Sequence, residues 1–190
     1  MGPVGNAGYF LIHTAFYLYI TVVMVRFLLQ LVRADFYNPI SQFTVKATAP
    51  LLNPLRRYIP GYGGVDVAAI VLMLVLKLVE LYLLSAFGGV SPGPVQMVFL
   101  ALAGLIELAI NLYIFMIIVQ VVMSWVNPGV YNDVTAIIHR LTEPVMAPVR
   151  QLLPPMGGLD LSPLFVLIGL QLVKILVVGP LQGLGVAGVM

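Results

Sequence analysis

The chain has 190 residues, of which 61% are hydrophobic and only 8% charged, and its formal net charge is +2. Soluble globular domains have about 25% charged residues, so this composition excludes that class and predicts an integral membrane protein. The chain has no cysteine and only two histidines, which lie far apart in the sequence. Disulfides and thiolate metal sites are therefore excluded, and we expect no metal site, no cofactor and no enzymatic activity.

Four apolar runs are each long enough to cross a bilayer as a helix, which needs about 20 residues. They cover residues 8–32, 65–87, 95–126 and 159–178. The third run corresponds to a helix about 48 Å long at 1.5 Å per residue, so five spans are the alternative to four. No Lys or Arg precedes the first run, which is therefore predicted to be a retained anchor and not a cleaved signal peptide. The predicted fold is an all-α, polytopic membrane helix bundle.

Basic residues outside the spans lie at only one end of the predicted bundle. The connection between the first two spans and the connection between the last two carry six of them: Arg33, Lys46, Arg56, Arg57, Arg140 and Arg150. The amino-terminal segment, residues 88–94 and the tail after residue 178 carry none. The positive-inside rule therefore places both long loops in the cytoplasm and both termini outside. We expect the loops to meet anionic headgroups and not nucleic acid, because their charges are scattered among prolines and apolar residues.

The sequence repeats itself at an offset of 94 residues without a gap. Ten of the thirty positions from 37 to 66 are identical in the second copy. Tyr37, Asn38, Thr48, Pro50, Pro54, Arg56, Pro60, Gly63, Gly64 and Asp66 fall on Tyr131, Asn132, Thr142, Pro144, Pro148, Arg150, Pro154, Gly157, Gly158 and Asp160. The chain divides into two units, 1–94 and 95–190, each consisting of a span, a loop and a span. An even number of spans per unit makes the repeat parallel, and we expect a pseudo-two-fold axis along the membrane normal.

Each loop is predicted to contain an amphipathic helix lying at the membrane interface. Asn38 and Asn132 are the predicted N-caps, and apolar residues follow each of them at helical spacing. Pro50 and Pro144 are predicted to end these helices. The glycine pairs that follow allow a turn back towards the membrane, where Asp66 and Asp160 are predicted to cap the returning span. In the second copy, Ser162-Pro163 is an alternative start for this span.

The loop motifs resemble a known family. The first copy contains RADFYNP at residues 33–39, TAPLL at 48–52 and PLRR at 54–57. The second contains TEP at 142–144, PVR at 148–150 and GGLDLSP at 157–163, whereas the first copy has VAA at 67–69 in place of the final LSP. Over nearly the whole chain the sequence resembles the YggT family, which is similar to the YlmG proteins and to the chloroplast cofactor-assembly factor of the cytochrome b6f complex. The resemblance implies a bacterial inner-membrane protein connected with osmotic tolerance, cell division or membrane-complex biogenesis.

Ionisable residues inside the spans are the other candidates for function, because a charge at the bilayer centre costs about 2.5–3.5 kcal/mol on insertion scales. The polar candidates are Arg26, Lys77, Glu80, Glu107, Gln171 and Lys174. The repeat offset maps Glu80 onto Lys174, and we expect these two to form an ion pair between facing helices. Arg26 is predicted to extend its guanidinium to the headgroups.

Two functions of different classes remain open. The first is a non-enzymatic organising or assembly factor, in which the paired loops engage other membrane proteins. The alternative is a small ion channel or transporter, formed by several copies, that uses Lys77, Glu80, Gln171 and Lys174. Under either, a homo-oligomer is a candidate assembly.

Overall fold

The computed structural model of the protein describes residues 2–88, 92–126, 129, 132–152 and 160–186. These residues are almost entirely helical. The helices are α1 (Pro3–Leu31), α2 (Pro39–Tyr58), α3 (Val67–Gly88), α4 (Pro94–Val126), α5 (Asp133–Leu152), α6 (Ser162–Val173) and α7 (Gly179–Val186), with a π-helical segment at Lys174–Val178 joining the last two. The predicted all-α membrane helix bundle is confirmed.

Four helices are long and apolar enough to cross a membrane. They are α1, α3, α4 and a fourth span, Ser162–Val186, that contains α6, the π-helical segment and α7. The third predicted run forms one helix of 33 residues, so the described part of the chain has four candidate spans and not five. The fourth span continues past the predicted end at residue 178.

The π-helical segment of the fourth span has an identifiable cause. Pro180 lacks a backbone N–H, and in a regular helix its ring would clash with the carbonyl of Leu176. The helical turn just before this proline contains one extra residue, so that the N–H of Gly179 donates to the carbonyl of Lys174 five residues earlier. The helix thereby passes the proline and continues to Val186.

The loop helices α2 and α5 contain 20 residues each and lie at one end of the bundle, called here the loop end. Both predicted N-caps are confirmed. The Asn38 side chain accepts the N–H of Ile40 at 2.9 Å, and the Asn132 side chain accepts the N–H of Val134 at 3.0 Å. Caps of this kind contribute about 1 kcal/mol each.

The prediction that Pro50 and Pro144 end the loop helices is wrong. Helix α2 continues through Pro50 and Pro54, and α5 continues through Pro144 and Pro148. All four prolines are exposed, and in each helix they are four residues apart. The backbone carbonyls they leave unpaired therefore lie on the outer side of the helix, where water or headgroups can bond them.

The two repeats have the same internal packing. In the first, α1 packs on α3, and α2 lies against both; in the second, α4 packs on the fourth span, and α5 contacts α4 and α6. The largest core cluster joins α1, α2 and α3 to one side of α4, and includes Ile20, Leu72 and Leu108. A second cluster joins the other side of α4 to the fourth span through Ala103, Ile110 and Val178.

The contact between the repeats is one-sided, which corrects the predicted two-fold arrangement. Helix α3 packs on α4, and no comparable packing of α1 on the fourth span joins the described residues. A two-fold axis would require both contacts, because α4 corresponds to α1 and the fourth span to α3. The repeats therefore meet head to tail.

Candidate functional site

The repeated Arg and Asp of the loop motif hold each loop helix to the span that follows it. In the first repeat, Arg56 donates to Asp66, and it also donates to Gln30 at 3.0 Å. In the second, Arg150 Nε lies 3.2 Å from Asp160 Oδ2. Both aspartates also accept a backbone N–H at the start of their span, from Ala69 at 3.2 Å and from Ser162 at 2.9 Å. The predicted cap at Asp66 is confirmed. The prediction that Asp160 is the N-cap of its span is wrong, because α6 begins at Ser162, the alternative start, with Leu161 as its N-cap.

The charge of Asp160 is favoured by its neighbours. Partial burial acts to raise its pKa, but the contacts from Ser162 and Arg150 outweigh that effect, so the pKa of Asp160 lies below its usual value. The loop motif therefore keeps a negative charge at the start of the fourth span. A negative charge is favourable there because helix amino termini carry a partial positive charge.

The repeated threonine joins each loop helix to the span that precedes it. Arg26 of α1 donates to the Thr48 hydroxyl, which itself donates to the carbonyl of Thr44 at 2.7 Å. In the second repeat, Thr142 Oγ1 lies 2.6 Å from Gln120 Oε1. Since residues 26 and 120 correspond at the 94-residue offset, the same contact occurs twice, once with a charge and once with an amide.

The prediction that Arg26 extends to the headgroups is wrong. Only 7% of the residue is exposed. Its guanidinium donates to the Thr48 hydroxyl and to the carbonyl of Val45, 3.4 Å away. Helix α2 covers the loop end of α1 and supplies both polar atoms that accept from the guanidinium. The cation therefore fastens α2 within the protein.

The loop helices are also joined across the two repeats. The Asn38 amide donates to the backbone carbonyl of Asp133 at 2.8 Å. Arg140 of α5 donates to the carbonyls of Val32 and Arg33 at 3.4 and 3.1 Å. These carbonyls lie at the end of α1, where a cation is favoured by the partial negative charge of the helix carboxyl terminus. Helices α2 and α5 thus form one connected layer at the loop end.

The candidate site within the spans is a cluster of polar side chains, called here the span cluster. Its members are His13, Lys77, Glu80, Glu107, Asn111, Lys174 and Gln182. Glu80 is fully buried, and both of its carboxylate oxygens are bonded: Oε1 lies 2.7 Å from His13 Nδ1, and Oε2 accepts Lys77 Nζ at 2.9 Å. Hydrogen bonds on both oxygens are what a buried carboxylate needs to remain charged.

The second half of the span cluster is centred on Lys174. Its Nζ lies 2.8 Å from Glu107 Oε1 and donates to Asn111 Oδ1 at 3.2 Å. Gln182 donates to the other oxygen of Glu107 at 3.1 Å. The Lys174 and Glu107 side chains are about one-third exposed, so this half is more open than the half around Glu80.

The predicted Glu80–Lys174 ion pair is wrong. Each residue pairs inside its own repeat, because α3 packs on α4 and does not face the fourth span. The 94-residue offset maps His13 onto Glu107 and Glu80 onto Lys174. The same two positions therefore form the contact in both repeats, with the carboxylate on α3 in the first and on α4 in the second. The offset shows that positions 13 and 107 are equivalent, as are positions 80 and 174. Only the helix packing shows that position 13 contacts position 80 and that position 107 contacts position 174.

A cavity of about 190 Å³ lies where the two halves of the span cluster meet. Its lining includes His13, Lys77, Glu80, Glu107 and Asn111. The two ion pairs around it, Lys77 with Glu80 and Lys174 with Glu107, leave no net formal charge with His13 neutral. Among the described residues, no group of three or more His, Asp or Glu side chains is placed to hold a metal ion. The cavity has room for water or a small polar species.

Two parts of the predicted site are not brought into these clusters. Gln171 is exposed on the fourth span, away from the cavity. In the second loop, the predicted motif residues Pro154, Gly157 and Gly158 lie outside the described residues. Gly63 and Gly64 have φ angles of +60° and +83°, which explains the glycine pair of the first loop.

Comparison with known proteins gives the same repeat. The model of the CCB3/YggT family matches the chain twice, over residues 5–87 and residues 99–181, and the two matches start 94 residues apart. No solved structure matches the chain.

Several relatives match along most of their length. An uncharacterized protein of Pseudomonas aeruginosa is 43% identical over 181 residues, covering 94% of this chain and 92% of its own. An uncharacterized protein of Vibrio alginolyticus is 44% identical over 182 residues, covering 93% and 97%. The protein YggT of Escherichia coli (strain K12) is 37% identical over 179 residues, covering 93% and 92%. With two family matches that together cover most of the chain, and relatives of this similarity, the chain belongs to the CCB3/YggT family.

Proposed function

We propose that this protein is a non-enzymatic organising or assembly factor, whose spans hold a layer of two loop helices against which other membrane proteins dock. The observation that carries the proposal is the link between the loop helices. Asn38 bonds the start of α5, and Arg140 bonds the end of α1, so α2 and α5 are fixed relative to each other. A rigid surface binds a partner with less loss of conformational entropy than two independent loops.

The outer side of α2 has the composition of a binding surface. Its buried side consists of Ser41, Thr44, Thr48 and Leu52. On the other side, Phe43, Lys46, Arg57 and Tyr58 are exposed. Aromatic and basic residues of this kind suit both anionic headgroups and an acidic surface of a protein partner.

The span cluster supports an anchoring role for the spans. Its two lysines are each paired with a carboxylate, so the buried charges have partners without a transported ion. Polar contacts between helices in a bilayer average about 0.6 kcal/mol, enough to fix how the spans pack. In this proposal both loops lie on the cytoplasmic side of the bacterial inner membrane, and the process served is osmotic tolerance, cell division or the biogenesis of membrane complexes.

Site-specific photocrosslinking in cells tests the proposal. A photoreactive amino acid at Phe43 or Arg57 is expected to yield adducts with other membrane proteins. The matched control is Phe115, which is exposed on a span. Adducts with other membrane proteins from Phe115 and none from the loop positions would contradict the proposal.

An ion channel or transporter is the second candidate, favoured by the polar cavity between the repeats. Potassium and sodium flux into liposomes containing the purified protein tests it directly. Conduction through the cavity predicts a flux that Glu80→Gln abolishes and that the loop variant Arg57→Gln leaves unchanged. Flux equal to that of empty liposomes would contradict conduction by the purified protein.

A further inference from the structure

Because the contact between the repeats is one-sided, each repeat has one helix face that is equivalent to a contacting face of the other repeat but packs on no other span. Within the chain, a side of α3 packs on a side of α4. The fourth span has the position of α3 in the second repeat, and α1 has the position of α4 in the first. One face of the fourth span corresponds to the side of α3 that packs on α4, and one face of α1 corresponds to the side of α4 that packs on α3. Neither of these two faces packs on the other within the described part of the chain. Head-to-tail contacts of this kind continue from one unit to the next, and they form a ring where the rotation between units closes.

Part of the free face of α1 repeats the residue types of the α4 face. Leu105, Ala109 and Leu112 of α4 pack against the large core cluster of the first repeat. At the 94-residue offset they correspond to Leu11, Ala15 and Leu18, which are the same residue types. Leu11 and Leu18 are 66% and 59% exposed. One stripe of Leu, Ala and Leu thus packs inside the chain in one repeat and is uncovered in the other.

The free face of the fourth span shows the same contrast with α3. Leu74, Lys77, Leu78 and Leu81 of α3 are all partly buried, and Lys77 lies over Gly104 of α4. Their counterparts are Ile168, Gln171, Leu172 and Ile175, which are all exposed. The fourth span is also the least buried of the four. In an apolar stretch of 18 residues, 11% of its residues are buried, against 28–33% in the other three spans.

Lipid can cover leucine and isoleucine, but it cannot satisfy the amide of Gln171. This side chain lies in the middle of the fourth span and has no hydrogen bond to another described residue. An unpaired amide in hydrocarbon costs several kcal/mol. Its counterpart Lys77 faces a cavity that is also lined by Glu107 and Asn111 of α4, and the residues of α1 at those two positions are His13 and Tyr17. Both of these α1 side chains can bond an amide.

The loop end carries a third matching pair. Arg140 of α5 donates to the carbonyls at the end of α1. Its counterpart in the first repeat is Lys46, which is exposed on α2, and the counterpart of the end of α1 is the end of α4 at Val126. The same contact can form between Lys46 of one copy and the end of α4 in the next.

We propose that the protein self-associates head to tail, with the Leu11–Ala15–Leu18 face of one copy packed on the Ile168–Gln171–Leu172–Ile175 face of the next, as α4 packs on α3 within the chain. Repetition of one rotation in the membrane plane closes the copies into a ring. The partner is a second copy of this chain, identified by the continuity of its own internal contact.

Thiol crosslinking tests the proposal, and the absence of native cysteine makes every crosslink specific. Position 10 corresponds to Gly104, so Phe10 and Gln171 are the expected neighbours between copies. Phe10→Cys and Gln171→Cys variants are expressed together in membranes and treated with a short bifunctional thiol reagent. A crosslinked dimer is expected from the mixture, and none from either variant alone.

Two controls define the alternatives. Gly8→Cys with Phe87→Cys in one chain reports the known contact between α1 and α3 and should crosslink without forming a dimer. Phe115→Cys with Gln171→Cys in two chains should not crosslink. Absence of a dimer from the Phe10 and Gln171 mixture overturns the proposal, and so does a dimer from either variant alone, which would indicate a two-fold interface.

A second variant tests the interface without cysteines. Ala15 is exposed in the centre of the α1 stripe, so Ala15→Trp should block the packing of a second copy without disturbing the fold of one chain. Native mass spectrometry of the wild type is expected to give a multiple of the chain mass, and the variant a single chain. A wild type with the mass of one chain overturns the proposal, as does a variant with an unchanged multiple.

Discussion

Glu80 is the most constrained charge in the bundle, because it is fully buried and bonded to both Lys77 and His13. Glu80→Gln removes the charge that neutralises Lys77, and breaking a buried pair from one side costs about 3–5 kcal/mol in soluble proteins. Glu107→Gln is the matched change in the second repeat, where both partners are about one-third exposed. Thermal unfolding in detergent should therefore show a larger loss of stability for Glu80→Gln. An equal loss from the two variants would mean that burial does not set the strength of these pairs.

Asp160 gives the protein a defined response to acid. Because its pKa is lower in the folded protein than in the unfolded chain, its charge contributes stability above about pH 4, the ordinary aspartate pKa. That contribution falls as pH drops through the lower, folded pKa. Asp160→Asn should thus unfold at a lower temperature than wild type at pH 7, and the difference should shrink below about pH 4. Asp133→Asn, which also removes one exposed carboxylate near a helix start, controls for the loss of charge; a difference that grows in acid would contradict the assignment.

At the scale of an element, each loop helix is fastened by the threonine that occurs in both repeats. Thr48→Val removes one of the two acceptors of the buried Arg26, whereas Thr142→Val removes a contact with the neutral Gln120. A buried cation that loses an acceptor costs more than an amide that loses a partner, so hydrogen exchange should rise more in α2 of the first variant than in α5 of the second. Thr44→Val, which removes only a bond to the carbonyl of Ser41, is the control. Faster exchange of α2 in the control than in Thr48→Val would mean that the contact with Arg26 does not fasten the helix.

The elements that sequence could predict are those encoded locally. Length and hydropathy are enough to predict four spans, and Asn38, Asn132 and Asp66 predict the caps from their own neighbours. The passage of α2 through Pro50 could not be predicted in this way. A proline ends a helix unless the freed carbonyl finds a partner, and which side of α2 faces outward is decided by its packing on α1 and α3.

At the scale of the whole molecule, the repeat predicts which positions are equivalent but not which of them touch. The offset correctly relates Glu80 to Lys174, yet equivalent positions meet only if the repeats are arranged about a two-fold axis. The observed arrangement is head to tail, and position 13 meets position 80, and position 107 meets position 174, inside each repeat. A parallel duplication is compatible with both arrangements, so the choice depends on how α3 fits α4, and this long-range packing has no signature in a single sequence.

The head-to-tail arrangement makes Arg140 a coupling between the repeats, and this can be measured. Arg140→Gln weakens the bonds to the carbonyls of Val32 and Arg33, each of which contributes about 1 kcal/mol as a hydrogen bond. Removal should increase exchange at the end of α1 and in α5 together, because the bonds join these two elements. Arg57→Gln, which removes an exposed cation from the same layer, should change neither. If Arg140→Gln affects α5 but leaves the end of α1 unchanged, the bonds from Arg140 do not couple the two repeats.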